Sequence, residues 1–219
     1  MRSFESLPKT GYTSDTPKSF LLNAGAIIKN LKYSGSSWSG EQLGATAGGN
    51  TLTLTQEIEQ MEVDGVFAGA KGLDMFTEGE ASLTCNVKEL TAKNISMALL
   101  GDMGKGDGEI YPEGYTVIKP KGQITDTDYL DNIAYVGTVS GSDKPIIVIL
   151  KNAICTSGLD LEFTDKEQAT VEMKFEGRAD ANDVENMALP VTILYPNIEL
   201  STREAQAKID KWQENEVIK

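Results

Sequence analysis

In ATVEMKFEGR, residues 169–178, Val171, Met173 and Phe175 alternate with Glu172, Lys174 and Glu176. Only an extended chain with one dry and one wet face separates those two sets. The same period of two runs through residues 81–88, where Ala81, Leu83, Cys85 and Val87 alternate with Ser82, Thr84, Asn86 and Lys88. In 51–58, Thr51, Thr53, Thr55 and Glu57 oppose Leu52, Leu54, Gln56 and Ile58. Ile146 to Leu150 are consecutive apolar β-formers, the pattern of a strand buried on both faces. Residues 19–33 (with a kink at Gly25), 115–124, 131–141 and 189–196 read as further strands. About nine strands follow, with none of the strand–helix alternation of a parallel sheet. The expectation is a two-sheet antiparallel β-sandwich or partial barrel.

One helix interrupts this pattern. Thr91 is an N-cap, Leu90 and Ile95 stand at the positions of a hydrophobic staple, and Gly101 is the expected stop. A short helix in a β chain serves to cover an open end of the sandwich. A second helix is expected near the C-terminus, where Ser201 and Glu204 form a capping box and Ala205, Ile209 and Trp212 make a narrow apolar stripe. The expected organisation is a flexible arm over 1–18, a β domain over 19–196 and a helical extension over 197–219. Within the β domain, the Gly/Ser-rich stretch 34–50 reads as a long loop or hairpin, with Trp38 and Leu43 as its sizeable apolar residues. The phase slip at Met61 and Val63 suggests a bulge near Glu59–Gln60. Residues 64–76 read as a crossover, and 101–109 as a turn-rich loop.

Composition narrows the chemistry. The chain of 219 residues carries 20 Lys and Arg against 33 Asp and Glu, a net charge of −13, which repels nucleic-acid backbone and anionic lipid. There is no histidine, which removes the commonest general base and most transition-metal sites. Cys85 and Cys155 read as two buried thiols rather than a disulfide. The first twenty residues lack the apolar core of a signal peptide, and no apolar run approaches the ~20 residues of a membrane helix. GDMGKGDG (101–108) lacks the hydroxyl that must follow the lysine of a phosphate loop, and Asp102, Asp107 and Glu109 do not fit a calcium loop. Asn94-Ile95-Ser96 matches a glycosylation sequon, but inside a helix. The pairs Glu57/Glu59 and Glu172/Glu176 lack the aromatic sugar platforms of a glycosidase, and read as solvated sheet faces. No catalytic, cofactor or metal centre is expected.

The order of the pieces resembles a known family. The Gly/Ser segment leads to a Thr/Glu strand ending EIEQMEVDGV, then a segment ending KGLD, the unit ASLTCNVKELTAKNISMALLGD, and late IIVILKNAICTSGLDLEF and ATVEMKFEGRAD. Over residues 19–196 this is similar to the major tail proteins, or tail tube proteins, of long-tailed phages with non-contractile tails. The resemblance implies a β-sandwich with a flanking helix, six copies of which form a ring. Rings stack into a tube around a tape-measure protein, bounded by tail terminator and distal tail proteins, in a virion tail assembled in the host cytoplasm. Duplex DNA passes through without specific binding, no membrane is engaged, and the protein is not an enzyme.

Within that frame, the polar faces of strands 51–59 and 167–176 are expected to line the lumen, with Thr53, Thr55, Glu57, Glu59, Glu172 and Glu176; an outer solvated face is the alternative. Trp38, Leu43 and Trp212 are the expected contacts between rings. The competing function is a monomeric β-sandwich that binds a carbohydrate or protein, although only 7% of residues are aromatic.

Overall fold

The computed structural model describes residues 10–13, 15–66, 69–162, 165–166, 168–180 and 188–198. The predicted C-terminal helix, Trp212 and most of the N-terminal arm lie outside them. Among the described residues there are ten strands and one α-helix: β1 Leu21–Tyr33, β2 Trp38–Gln42, β3 Thr46–Gln60, β4 Asp74–Val87, α1 Ala92–Leu99, β5 Gly101–Lys105, β6 Thr116–Pro120, β7 Leu130–Val139, β8 Ile146–Cys155, β9 Val171–Glu176 and β10 Val191–Leu194. Eight strands are hydrogen-bonded in the order β2-β1-β7-β8-β9-β4-β3 with β10 on β8, while β5 and β6 form a separate ribbon. The fold is mainly β and antiparallel, a sandwich-like arrangement as the alternation predicts.

By its internal contacts the chain divides into two compact units. One comprises Met1–Asn23, Gly137–Ile146 and Tyr195–Lys219; the other comprises Ala24–Val136 and Ile147–Leu194. In the first unit the Ser140 N–H donates to the Phe20 carbonyl, and its hydroxyl donates to the Pro17 carbonyl. A Cβ on Gly141 would meet the Lys18 backbone at 2.5 Å, so only glycine permits this approach. Residues 15–20 are thereby tied to the 140–141 turn rather than forming part of a free arm.

The second unit holds the core. Strand β8 serves two sheets: Ile147–Leu150 pair with β10, and Ile154–Cys155 pair with β9. Between these stretches Asn152 adopts φ 45°, a left-handed bend of the sort that lets a strand switch sheets. The alternation then does what the sequence requires. Leu83, Cys85 and Val87 of β4 and Val171, Met173 and Phe175 of β9 pack with Ile27, Ile133, Leu150 and Cys155 in one buried cluster. A smaller cluster of Leu31, Ala134 and Ile147 with Ile28, Val136 and Ile149 lies apart from it. Most of Ile146 to Leu150 is buried, as expected of a strand dry on both faces.

Helix α1 starts as predicted, with the Thr91 hydroxyl accepting the Asn94 N–H. Leu90 and Ile95 line one small apolar gap with Val87, Val171 and Met173, so the helix closes the end of β4 and β9. It ends differently. Leu100 at φ 49° is the left-handed cap, and Gly101 opens β5, where a Cβ would meet the Lys119 carbonyl at 2.8 Å. Asn94, the sequon residue, is buried and donates to the carbonyls of Leu43 and Glu89 at 2.8 and 2.9 Å.

Of the two forms expected for 34–50, loop or hairpin, the structure has the hairpin: β2 pairs with β1 from Tyr33↔Trp38, and the start of β3 pairs with β4. Three other expectations are corrected. Residues 61–66 and 69–73 lie at the end of a β3–β4 hairpin rather than in a crossover, with the Met61 N–H donating to the Leu73 carbonyl. The register shift lies between Glu57 and Ile58, where β4 carries the extra residue, Thr77. Residues 101–105 are strand β5, and Asp107 closes the β5–β6 turn by accepting the N–H groups of Glu109, Ile110 and Tyr111 at 3.0 Å each.

Candidate functional site

Residues that pair directly across antiparallel strands share a face. In β3, β4 and β9 the rows are Thr51–Thr84–Lys174 and Thr53–Ser82–Glu176, with Thr55 opposite Glu80, Glu57 opposite Glu78, and Asn86 opposite Glu172. The other face carries Leu52–Leu83–Phe175 and Leu54–Ala81 and turns into the core. Thr53, Thr55, Glu57, Glu172 and Glu176, predicted from two separate segments, therefore come together on one polar face. Glu59 continues the same alternation along β3, past the shift.

Carboxylates outnumber cations on this face. Glu57, Glu59, Glu78, Glu80, Glu172 and Glu176 stand against Lys174 and Arg178. Both cations are engaged. Lys174 Nζ lies 2.8 Å from Glu80 and 3.1 Å from Glu176, and Arg178 Nη2 lies 2.7 Å from Glu176. The Arg178 hydrogen bond, ahead of those from Lys174 and Thr156, pulls the Glu176 carboxyl down to about 2 against the cost of its partial burial. Glu80, then Glu176, raises the Lys174 ammonium above its ordinary value. Glu57 and Glu78 face each other as like charges, a cross-strand pair that costs stability.

The β3–β4 hairpin extends past the core. Ala81 is the first buried residue of β4; before it Gly79 still lies against Leu189 and Thr77 is half-buried, while Asp74, Met75 and Phe76 are exposed. Ile58 and Phe76, a cross-strand pair, are 63% and 46% exposed. β3 ends the strand order on one side and β2 on the other.

The predicted contact residues separate. Trp38 is half-exposed and packs its ring 4.8 Å from that of Tyr33 at a tilt of 44°. Leu43 is only 2% exposed, and its N–H donates to the Ile27 carbonyl, so it is a core anchor rather than a surface contact. Trp212 lies outside the described residues.

The cysteines are free and buried. They pair with Met173 and Phe175 on opposite sides of β9, about 9.6 Å apart across the strands and offset by two residues along them, too far for a disulfide. Burial pushes the Cys85 thiol up to about 12.

Sequence reasoning missed a second feature. A cavity of about 340 Å³ opens between β1, β2, α1 and β5. Lys29, Lys93 and Lys121 line it together with Glu41, Asp128, Met97 and Met103, and Asp128 holds Lys121 at 2.6 Å. The Lys29 side chain is 5% exposed, and its ammonium lies 3.4 Å from Glu41, which also pairs with Lys93 at 3.2 Å. Lys93 first, then Lys29, holds the Glu41 carboxyl below its ordinary range. No protein-family description matches this chain, and no curated protein matches it.

Proposed function

We propose that this chain is the repeating subunit of a hollow tube of stacked rings, in the manner of the phage tail tube proteins it resembles. The polar face of β3, β4 and β9 lines a channel for duplex DNA. The observation that carries this reading is the two-sidedness of that sheet: core on one side, and on the other Thr, Ser, Glu and cations already held in ion pairs. A wall with excess carboxylate repels phosphate, and with Lys174 and Arg178 engaged it offers no cationic stripe on which DNA would stall.

The outer edge of β3 supports the same reading. A long edge strand without Lys, Arg or Pro is an open template for pairing, and closure by a neighbouring subunit removes it. In this account the protein works in a virion tail as a structural element rather than an enzyme. Its partners are copies of itself, a tape-measure protein, tail terminator and distal tail proteins, and DNA in transit.

Size-exclusion chromatography and negative-stain microscopy across a concentration series test the proposal. Rings or tubes of sixfold symmetry are expected. A monomer that persists to millimolar concentration overturns it. The exposed Tyr33–Trp38 pair favours the competing reading, a monomeric module with an aromatic platform. That reading requires a monomer whose tryptophan fluorescence responds to an oligosaccharide or peptide and loses the response in Trp38→Ala.

A further inference from the structure

The lysine-lined cavity and the end of the β3–β4 hairpin have complementary chemistry. Lys29 is a buried ammonium with three donors, and its one ion pair is long and shared, since Glu41 also serves Lys93. A further carboxylate at this cavity would add a second acceptor to an ammonium whose pair with Glu41 is long and shared. The cavity is open to such an acceptor. Met97 and Met103 add a flexible apolar lining, and Met103 is half-exposed.

The hairpin end supplies the opposite set. From Ser34 to Ala70 the sequence contains no Lys or Arg. Glu62 and Asp64 there alternate with Met61 and Val63, both 49% exposed, and Val66 follows. Exposed apolar side chains interleaved with carboxylates have little reason to persist in a chain of net charge −13 unless something covers them. Lys121 is already held by Asp128 at 2.6 Å and by Asp102 at 3.4 Å. Lys29 and Lys93, however, share the single carboxylate of Glu41 and so answer the hairpin's carboxylates, while the methionines of the cavity answer Met61 and Val63.

We infer that the hairpin end of one copy, residues 61–66, seats in the cavity of a second copy. A carboxylate of Glu62 or Asp64 reaches Lys29 and Lys93, and Met61 and Val63 pack on Met97 and Met103. The two surfaces are different parts of one chain, so the contact is heterologous and propagates from copy to copy until it closes or forms a filament. The inference rests on the tube reading for its setting, but it makes a separate claim about which surfaces meet.

The test is cross-linking between two single-cysteine additions, Val63→Cys in one preparation and Met103→Cys in another, treated with a short bis-maleimide. The native thiols are buried. A cross-linked dimer is expected in the mixture and not in either preparation alone. In parallel, Glu62→Lys with Asp64→Lys, or Lys93→Glu alone, is expected to raise the concentration needed for assembly about tenfold, and combining all three changes in one chain to restore it in part. All these positions lie at the surface, and circular dichroism checks the fold of each variant.

Tubes in the native protein with no cross-link and no effect of charge reversal overturn the inference and leave the tube reading standing. A cross-link that yields only small oligomers, never tubes, upholds the contact and removes the tube reading. No association at any concentration, with no cross-link, removes both.

Discussion

Glu176→Gln removes the carboxylate on which Arg178, Lys174 and Thr156 converge at 2.7, 3.1 and 3.1 Å. The folded chain holds this group at about 2 rather than its ordinary 4.5. Taken at face value that displacement corresponds to about 3.4 kcal/mol at neutral pH. Both cationic partners are more than a third exposed, so solvent screens them, and about 1–2 kcal/mol is the expected loss on substitution. A carboxyl with a depressed folded value stabilises at any pH above its unfolded value and loses that contribution as pH falls through its folded value. The contribution is thus full at pH 7 and at pH 5.5, falls to about two-fifths at pH 3, and is largely gone below pH 2. Urea denaturation of the unassembled subunit, followed by tryptophan fluorescence, measures the gap between the native chain and Glu176→Gln. A gap that is absent at pH 7, or that stays constant down to pH 3, refutes the ion-pair account of this face.

Asn94→Ala takes the Asn94 donor from the Leu43 carbonyl, while the Glu89 carbonyl keeps the Thr91 N–H, and is expected to destabilise by about 1–3 kcal/mol, read from urea midpoints. Gly25 has φ 72° and a Cβ there would lie 2.5 Å from the Tyr135 ring, so Gly25→Ala is expected to cost about 2 kcal/mol or more in the same assay. Cys85, pushed up to about 12 and buried, should resist iodoacetamide at pH 8 in the folded protein and react once urea unfolds it. Changing Glu57, Glu59 and Glu172 together to Lys should leave the subunit folded but make tubes that retain DNA, with retention easing as salt rises. Glu176 is left intact because Arg178 and Lys174 depend on it.

The strands that face a core declared themselves. β9 and the second half of β4 alternate cleanly because each has one side against Phe175 and Leu83 and one side in water. Helix α1 was legible through Thr91, whose hydroxyl caps it by a local rule. β2 and β5 were not legible, because apart from Trp38 and Met103 their residues are Gly, Ser, Glu, Gln, Asp and Lys, with no apolar alternation. Their extended form comes from pairing with β1 and β6, a tertiary effect that propensity does not carry. The phase slip was misplaced because the extra residue, Thr77, sits on the partner strand. Leu43 did leave a signal, since a lone leucine in a polar stretch is the natural anchor of that stretch to the core. The cavity left none: Lys29, Lys93 and Lys121 are far apart in sequence and meet only once β1, α1 and the segment after β6 are in place.

The central claim is that the face bearing Thr53, Glu57 and Glu176 looks into a channel. A helical reconstruction of assembled tubes tests it directly. The account predicts a sixfold tube whose inner wall is formed by the polar rows of β3, β4 and β9, with their carboxylates around an opening wide enough for duplex DNA. A tube that carries those rows on its outer wall contradicts the account.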